Sequence, residues 1–216
     1  MRAIDITWLG HSCFIIKGKD ATILTDPYDE TIGYSLGKPA ANIVTSSHPH
    51  PGHSFTSGVD GVSKVVHGPG EYEICGVFIT GISTYHDAEG GAVRGKNTAY
   101  LIEMDEVILC HLGDLGHPLS PGQVEEMSGV EVLLVPVGGV STINAATAAE
   151  TVRQLEPRIV IPMHFHTKAL RFNLDPVDSF FKEMGIKADL AAQPRLSITK
   201  TSLPEETRVV LLDYRV

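Results

Sequence analysis

Short apolar segments, many of them rich in β-branched residues, recur along the chain and are bounded by Gly, Pro, Asp or Ser. Segments of this length and composition predict β-strands. A further strand is expected close to the C-terminal end, at 209–212. The other predicted strands span residues 4–9, 13–16, 21–24, 42–45, 77–82, 99–102, 107–109, 132–135 and 159–162.

Helical patterns are confined to the second half of the chain. The first begins with Ser-Pro, a pair typical of an N-cap followed by proline at the first helical position. The second is rich in alanine, and the third ends at a glycine. The predicted helices span 120–129, 144–155 and 175–185.

The order of these elements is a strand-rich first half followed by alternating strands and helices. This order predicts an α/β (α+β) fold in which helices flank two packed sheets. The spacing of apolar residues leaves an ordinary three-layer α/β fold open as the alternative. A chain of 216 residues is long enough for one substantial domain, which we expect to span 1–216.

The composition limits the classes of partner. Hydrophobic residues make up 43% of the chain and charged residues 20%, as in ordinary soluble globular proteins. The net charge of −9 and the absence of any Lys/Arg run argue against nucleic acid and anionic membranes as partners. No segment has the length of a membrane span, and the N-terminal residues lack the apolar stretch of a signal peptide.

The cysteines favour a reducing, cytoplasmic location. Cys13, Cys75 and Cys110 are odd in number, far apart in sequence, and form no CxxC pair. Cys13 and Cys110 lie within apolar segments, which predicts buried free thiols rather than a disulfide.

Histidine is the unusual residue type, with ten in the chain. His48, His50 and His53 share the segment SSHPHPGH. Two imidazoles two residues apart at a strand end point the same way, and a third can approach from the next turn. This spacing favours a divalent-metal site, with a surface histidine loop as the alternative.

The position of other ligand-type side chains strengthens the metal hypothesis. A predicted strand ends just before each of Asp26, His48, His86, Asp114 and His164. In α/β folds such strand ends converge at one edge, where sites are assembled. Buried structural histidines would not be expected to repeat this placement.

An ordered set of motifs along nearly the whole chain resembles the metallo-β-lactamase superfamily. The chain looks most like a branch of bacterial metal-dependent hydrolases related to the lactonase that opens ascorbate phosphate. The resemblance implies a four-layer αββα sandwich. The motifs are WLGHSCF at 8–14, TDP at 25–27, HPHPGH at 48–53, GPGEYE at 68–73, YHD at 85–87, CHLGDLGH at 110–117, LLVPVGG at 133–139 and IPMH at 161–164.

The same resemblance implies a set of metal ligands. Asp114 would lie between the two ions, in contact with both and with the nucleophile. The implied histidine ligands are His48, His50 and His86 for the first ion, and His53 and His164 for the second.

Other polar residues are expected around this centre. Asp26 would accept a hydrogen bond from a ligand histidine and so orient it. His11 is expected close to the metals, with a purely structural hydrogen-bonding role equally open. His67, His111 and His117 are predicted to be structural or solvent-exposed.

Gly52 departs from the family pattern, which has Asp between the second and third histidines of the motif. The absence of this Asp removes an oxygen ligand of the second ion and a proton acceptor. His166 is a candidate substitute ligand, with an exposed position as the alternative. We expect the second ion to bind weakly, because a replacement imidazole must be aimed accurately.

The resemblance implies hydrolysis of a small ester, lactone, amide or phosphoester, with a small molecule as the binding partner. One or two Zn²⁺ ions, or Mn²⁺ or Fe²⁺ instead, would lower the pKa of bound water to near 7 and polarise the scissile group. The alternative is a metal-binding protein of this fold with little or no hydrolytic activity, because of Gly52. Assembly into a homo-oligomer stays open.

Overall fold

The computed structural model describes residues 3–187 and 190–214, in which strands alternate with short loops before the first α-helix begins. The α-helices are α1 (Pro121–Glu126), α2 (Ala145–Leu155) and α3 (Val177–Glu183). The strands are β1 (Ile4–Gly10), β2 (Cys13–Lys17), β3 (Thr22–Thr25), β4 (Ile43–Ser46), β5 (Lys64–His67), β6 (Gly70–Ile74), β7 (Val77–Tyr85), β8 (Lys96–Met104), β9 (Val107–His111), β10 (Val132–Pro136), β11 (Ile159–Met163), β12 (Leu196–Ile198) and β13 (Arg208–Val209).

These strands form two mixed sheets. The first has the order β12-β1-β2-β3-β4-β5, antiparallel as far as β3 and parallel from β3 to β5. The second has the order β13-β11-β10-β9-β8-β7-β6, antiparallel from β6 to β9 and parallel from β9 to β13. The two-sheet α/β sandwich is therefore confirmed, and the three-layer alternative is wrong.

The alternation of side chains between the two faces of each strand shows where the main hydrophobic core lies. Ile4, Ile6 and Trp8 of β1 are fully or almost fully buried and belong to the large hydrophobic cluster that includes residues of both sheets. Ile15 of β2 and Val44 of β4 belong instead to a smaller cluster. Because successive side chains point to opposite faces of a strand, the first sheet buries both of its faces.

The two outer layers differ in how they are built. On the second sheet, α2 packs against β10 and against α3. The smaller cluster on the first sheet is completed by loop residues and by the 3-10 helix Glu30–Ile32. None of the described residues of this smaller cluster belongs to an α-helix. The outer layer on the first sheet is therefore formed by 3-10 and loop structure.

The pattern of apolar residues located most of the elements. Strands β5, β6 and β12 were not predicted, because their side chains are mostly exposed or half-buried and they lack a continuous apolar segment. The last strand ends at Val209, and Leu212 forms only an isolated bridge. The third helix is shorter than the predicted 175–185, since it spans Val177–Glu183 with Pro176 as its N-cap.

Across the described residues, no helix is both long enough and apolar enough to cross a membrane.

Candidate metal centre

The strand ends named in the sequence converge on one cluster of imidazoles around a carboxylate. His50 and His53 lie on the loop that His48 begins. Each of the other cluster residues follows the C-terminal end of a strand: His11 after β1, Asp26 after β3, His48 after β4, His86 after β7, Asp114 after β9 and His164 after β11.

Three of these residues have left-handed backbone conformations. The φ angles are 53° at His11, 40° at Asp26 and 51° at His164. This region is uncommon for residues other than glycine, although Asn, Asp and His adopt it more often than most. Strained backbone of this kind clusters at functional sites, where surrounding contacts hold it in place.

Asp114 lies at the centre of the cluster. Its Oδ2 is 3.1 Å from the Nε2 of His53, 3.3 Å from that of His86 and 3.4 Å from that of His164. The other carboxylate oxygen, Oδ1, lies 3.4 Å from the Ser12 hydroxyl, and the Asp114 backbone N–H donates to Asn97 Oδ1 at 2.9 Å. One oxygen is thus directed at three imidazoles from both sheets.

Asp26 fixes the orientation of the loop that carries the histidine motif. Its Oδ2 lies 2.8 Å from the Nδ1 of His53, and since a carboxylate can only accept, Nδ1 of His53 donates. The Nε2 of a neutral His53 therefore has a free lone pair directed at Asp114. Ser47 donates to Asp26 through its backbone N–H at 2.7 Å and its hydroxyl at 2.6 Å.

The carboxylates of the cluster favour a positive charge at His53, either on its ring or on a cation next to it. Burial alone lowers the pKa of His53, but the charges and hydrogen bonds of Asp114 and Asp26 raise that pKa to about 10. Burial raises the pKa of Asp114, yet His164 and His53 hold it well below its usual range. A proton or a metal cation can supply the charge that these carboxylates stabilise.

Burial favours the neutral, metal-binding form of three further imidazoles, those of His11, His48 and His86. Burial lowers the pKa of His11 well below its usual value, with His164 and His53 lowering it further. Burial also lowers the pKa of His48, to about 4, and that of His86. Neutral imidazole is the ligand form, so no proton has to be displaced from these rings.

The distances between donor atoms fit a divalent ion. Four-coordinate Zn²⁺ with bonds of 2.0–2.1 Å places its ligand atoms about 3.3 Å apart. The separations from Asp114 to its three imidazoles are 3.1–3.4 Å. Three groups of ligand atoms lie within 4.8 Å of one another: His48, His50 and His53; His48, His86 and Asp114; and His11, His53 and His164.

A cavity of about 530 Å³ gives access to this cluster. His50, His86 and Asp114 line it, and His50 is exposed to solvent. The mouth is formed mainly by apolar side chains, with Phe172 and Val140 exposed.

The remaining histidines lie outside the cluster. His111 is fully buried, and its Nε2 donates to the backbone carbonyl of Ser12 at 2.8 Å, a structural role. His67 is exposed, and His117 accepts the backbone N–H of Tyr85. His166 is exposed and belongs to none of the groups able to hold a metal in the described part of the chain, so the structure does not support it as a substitute ligand.

Several residues that position the site were missed from the sequence. Ser12 and Ser47 contact the two carboxylates, and Asn97 holds the Asp114 backbone. Gly113 has a φ of 56°, and a Cβ there would lie 2.5 Å from Asn97 Oδ1, so glycine permits this close approach. The position of Ser47 next to His48 was a usable signal, whereas nothing in the local sequence distinguishes Asn97.

Residues 5–164 match the sequence profile of the β-lactamase superfamily domain. This match covers more than half of the chain, and the chain belongs to that superfamily. The metallo-β-lactamase resemblance of the motifs is thereby confirmed, whereas the link to the ascorbate-phosphate lactonase stays a prediction.

Individual relatives agree with this assignment. A UPF0173 protein of Pyrococcus furiosus is 31% identical over 202 residues, covering 84% of this chain and 90% of the relative. A UPF0173 metal-dependent hydrolase of Pyrococcus horikoshii is 27% identical, covering 87% of this chain and 95% of the relative. The crystal structure of a candidate zinc-dependent hydrolase of the metallo-β-lactamase superfamily from Thermotoga maritima matches with a TM-score of 0.81 and 39% identity, covering 98% of this chain and all of that one.

A protein with a different type of reaction shares the fold of this chain. CmlA, a diiron β-hydroxylase from Streptomyces venezuelae, matches with a TM-score of 0.63 at 14% identity, covering 92% of this chain and 54% of that one. Because one fold carries different reactions, the function has to be argued from the site.

Proposed function

We propose that this protein is a metal-dependent hydrolase of a small ester, lactone, amide or phosphoester. The observation that carries the proposal is the position of Asp114, whose Oδ2 faces three imidazoles at 3.1–3.4 Å on the wall of an accessible cavity. The names of the Pyrococcus and Thermotoga relatives point to the same class of reaction.

The donor set supports divalent metal binding. A bound divalent cation supplies Lewis acidity and lowers the pKa of water. Imidazole-rich sites suit Zn²⁺, our first choice, and Fe²⁺, with Mn²⁺ as a further alternative. We propose one or two ions, the first held by His48, His50 and His86.

Asp114 has a second role in this proposal. Among the described residues that line the cavity it is the only carboxylate, so it is the group available to orient a water molecule for attack. Ser12 contacts Oδ1 and leaves Oδ2 directed at the imidazoles. Divalent ions held by neutral imidazoles and a single carboxylate would give the centre a net positive charge, which would stabilise the negative charge that develops on a substrate oxygen during hydrolysis.

The cavity walls indicate the shape of the substrate. Val140, Phe172 and Leu174 supply apolar surface, and Ser141 and Asn173 supply hydrogen-bonding groups. In the described part of the chain no Lys or Arg lines the cavity, so a multiply charged substrate gains no ion pair from these walls. We infer a small substrate with an apolar portion and a hydrolysable group that reaches the imidazoles.

Gly52 favours a second candidate function, a metal-binding protein with little hydrolytic activity. The motif carboxylate that would assist a second ion and accept a proton is absent at this position. The two candidates share the metal centre and differ in turnover.

Turnover of a substrate panel separates the two. Protein loaded with Zn²⁺ is assayed with a p-nitrophenyl ester, a γ-lactone, an anilide and a p-nitrophenyl phosphodiester, beside chelated protein and Asp114→Asn. We expect metal-dependent turnover of at least one class, abolished in Asp114→Asn and unchanged in His67→Ala, since His67 is exposed and outside the cluster. Metal-loaded protein that turns over none of the classes faster than Asp114→Asn would favour the non-catalytic candidate.

A further inference from the structure

Two imidazoles, those of His50 and His11, border the space beside Gly52. Gly52 is buried and its φ is not in the left-handed region, so its backbone is compatible with a side chain. A Cβ at this position would lie 3.2 Å from His50 Nδ1, 3.4 Å from His11 Nε2 and 3.5 Å from Ile32. The ring of His11 therefore reaches the region into which a residue-52 side chain would extend.

The reactive nitrogen of His11 is placed among other ligand atoms. Its Nε2 lies 3.2 Å from the Nε2 of His53, and His11, His53 and His164 form a fully buried group of candidate donors. The ring centroid of His11 is 4.3 Å from that of His164. An Nε2–Nε2 separation of this size matches two ligands of one tetrahedral ion.

Hydrogen bonding accounts for only one nitrogen of the His11 ring, because Nε2 has the Nε2 of His53 at 3.2 Å. The residue is only 3% exposed, and its Nδ1 has no hydrogen-bond partner among the described residues. The Nε2 contact joins two imidazoles, burial favours the neutral form of His11, and two nitrogens at this separation can also bind one cation between them. When His53 is neutral, its Nδ1–H is donated to Asp26 and its Nε2 lone pair is directed at the space between His11 and Asp114, where a cation could be bound by all three side chains.

The backbone aims the His11 ring at this position. The carbonyl of His11 accepts the indole N–H of Trp8 at 2.9 Å and the backbone N–H of His164 at 3.1 Å. These two bonds hold the left-handed turn, with its φ of 53°, between the ends of β1 and β11. A ligand held so firmly meets the accuracy that metal coordination requires.

We propose that His11 is a direct ligand of the second metal ion and takes the place of the carboxylate missing at position 52. The second site then consists of His11, His53 and His164 together with Asp114. This inference rests on the metal centre of the proposed function. Replacing a carboxylate by a neutral imidazole makes the site more positive and shifts its preference from oxygen-favouring ions toward ions such as Zn²⁺.

Metal stoichiometry tests this assignment without recourse to activity. Parent, His11→Asn, His48→Ala and the control His67→Ala are equilibrated with buffered Zn²⁺, and bound zinc per chain is measured by mass spectrometry after gel filtration. Asn tolerates the left-handed backbone of position 11, and circular dichroism verifies folding. We expect two ions in the parent and in His67→Ala. In His11→Asn we expect one ion bound as in the parent and a second weakened at least about tenfold.

A double variant tests whether positions 11 and 52 share one ligand position. The smaller Asn at position 11 opens space on the His11 side for the carboxylate of Gly52→Asp, while the exposed His50 ring, 3.2 Å from the Cβ position, has to move by a few tenths of an ångström. The variant His11→Asn/Gly52→Asp should then recover binding of the second ion. A His11→Asn protein that binds two ions as tightly as the parent overturns the inference, as does a double variant that recovers nothing. Loss of zinc in His48→Ala beside an unchanged His11→Asn would overturn this inference alone, whereas a folded parent that retains no divalent metal would overturn the proposed function as well.

Discussion

The two halves of the candidate metal centre differ in their exposure. His48 and His50 lie on one loop beside His86, and this half is open, with His50 exposed and His86 half-buried. In the other half His53 and His164 are each 1% exposed and His11 is 3% exposed. The open half can exchange water and substrate, whereas the enclosed half is built like a protein core.

The enclosed half also joins the two sheets. His11 follows β1 of the first sheet and His164 follows β11 of the second, and the backbone N–H of His164 donates to the carbonyl of His11. An ion bound there would connect the sheets directly. We therefore expect the open half to govern chemistry and the enclosed half to contribute more to stability.

Asp114→Asn should have the largest effect, because Asp114 contacts imidazoles of both halves. The substitution keeps the side-chain shape and removes the only carboxylate of the cluster that faces the cavity. We expect zinc content to fall below one ion per chain and any hydrolysis to fall at least about 100-fold, more than for loss of a group that only orients a ligand. A variant that retains both ions would show that the two halves bind metal independently of Asp114.

Chelation should lower thermal stability, mainly through the enclosed half. Metal that binds only the native state stabilises it by about 2.7 kcal/mol at a hundredfold excess over Kd. For a domain of this size that corresponds to a fall of about 5–10 °C in Tm on removal of the metal. Calorimetry of protein with and without EDTA measures the shift, and His11→Asn should show a smaller shift than the parent. An unchanged Tm in protein shown to have lost its metal would mean that neither half ties the sheets together.

Asp26→Asn should have a smaller effect, confined to the orientation of His53. Asn tolerates the φ of 40° at this position and can still accept from Ser47, but it loses the charge that holds the Nδ1–H of His53. Removal of such an orienting partner typically weakens metal affinity about 10–100-fold. Competition with a chromophoric chelator gives the affinity, and Asp60→Asn, at an exposed position, is the control. Equal affinities in the two variants would contradict the orienting role of Asp26.

The sequence named members of both halves of the centre but left the role of His11 in the enclosed half open. The strand ends and the motif spacing were sufficient to predict that His48, His86 and Asp114 meet at one edge, because the ends of strands follow from local apolar patterns. The placement of His11 depends on the left-handed turn after β1 and on its contact with the turn after β11. Contacts between residues so far apart in the chain leave no periodic signal in a single sequence.

The same distinction applies to the fold. Strands with continuous apolar segments were located from the pattern, whereas the edge strands β6 and β12 were missed. Edge strands pair on one side only and carry exposed side chains, so their apolar alternation is weak. The sequence pattern also did not predict that the described part of the outer layer on the first sheet lacks an α-helix. Tyr28 and Tyr34 from loops and Ile32 from a 3-10 helix cover the sheet there.

The smallest effect is expected from His166→Ala, and it decides which imidazole compensates for Gly52. His166 is exposed, and its backbone N–H is paired with the carbonyl of Asp175, which leaves its ring outside the cluster. His11 Nε2, by contrast, lies 3.4 Å from the Cβ position of residue 52. We expect His166→Ala to bind zinc with the stoichiometry and affinity of the parent, while His11→Asn loses affinity for the second ion. If His166→Ala lost the second ion and His11→Asn did not, His166 from the loop after β11 would be the ligand that replaces the carboxylate missing at position 52. The enclosed half would then contain two histidine ligands, His53 and His164, rather than three.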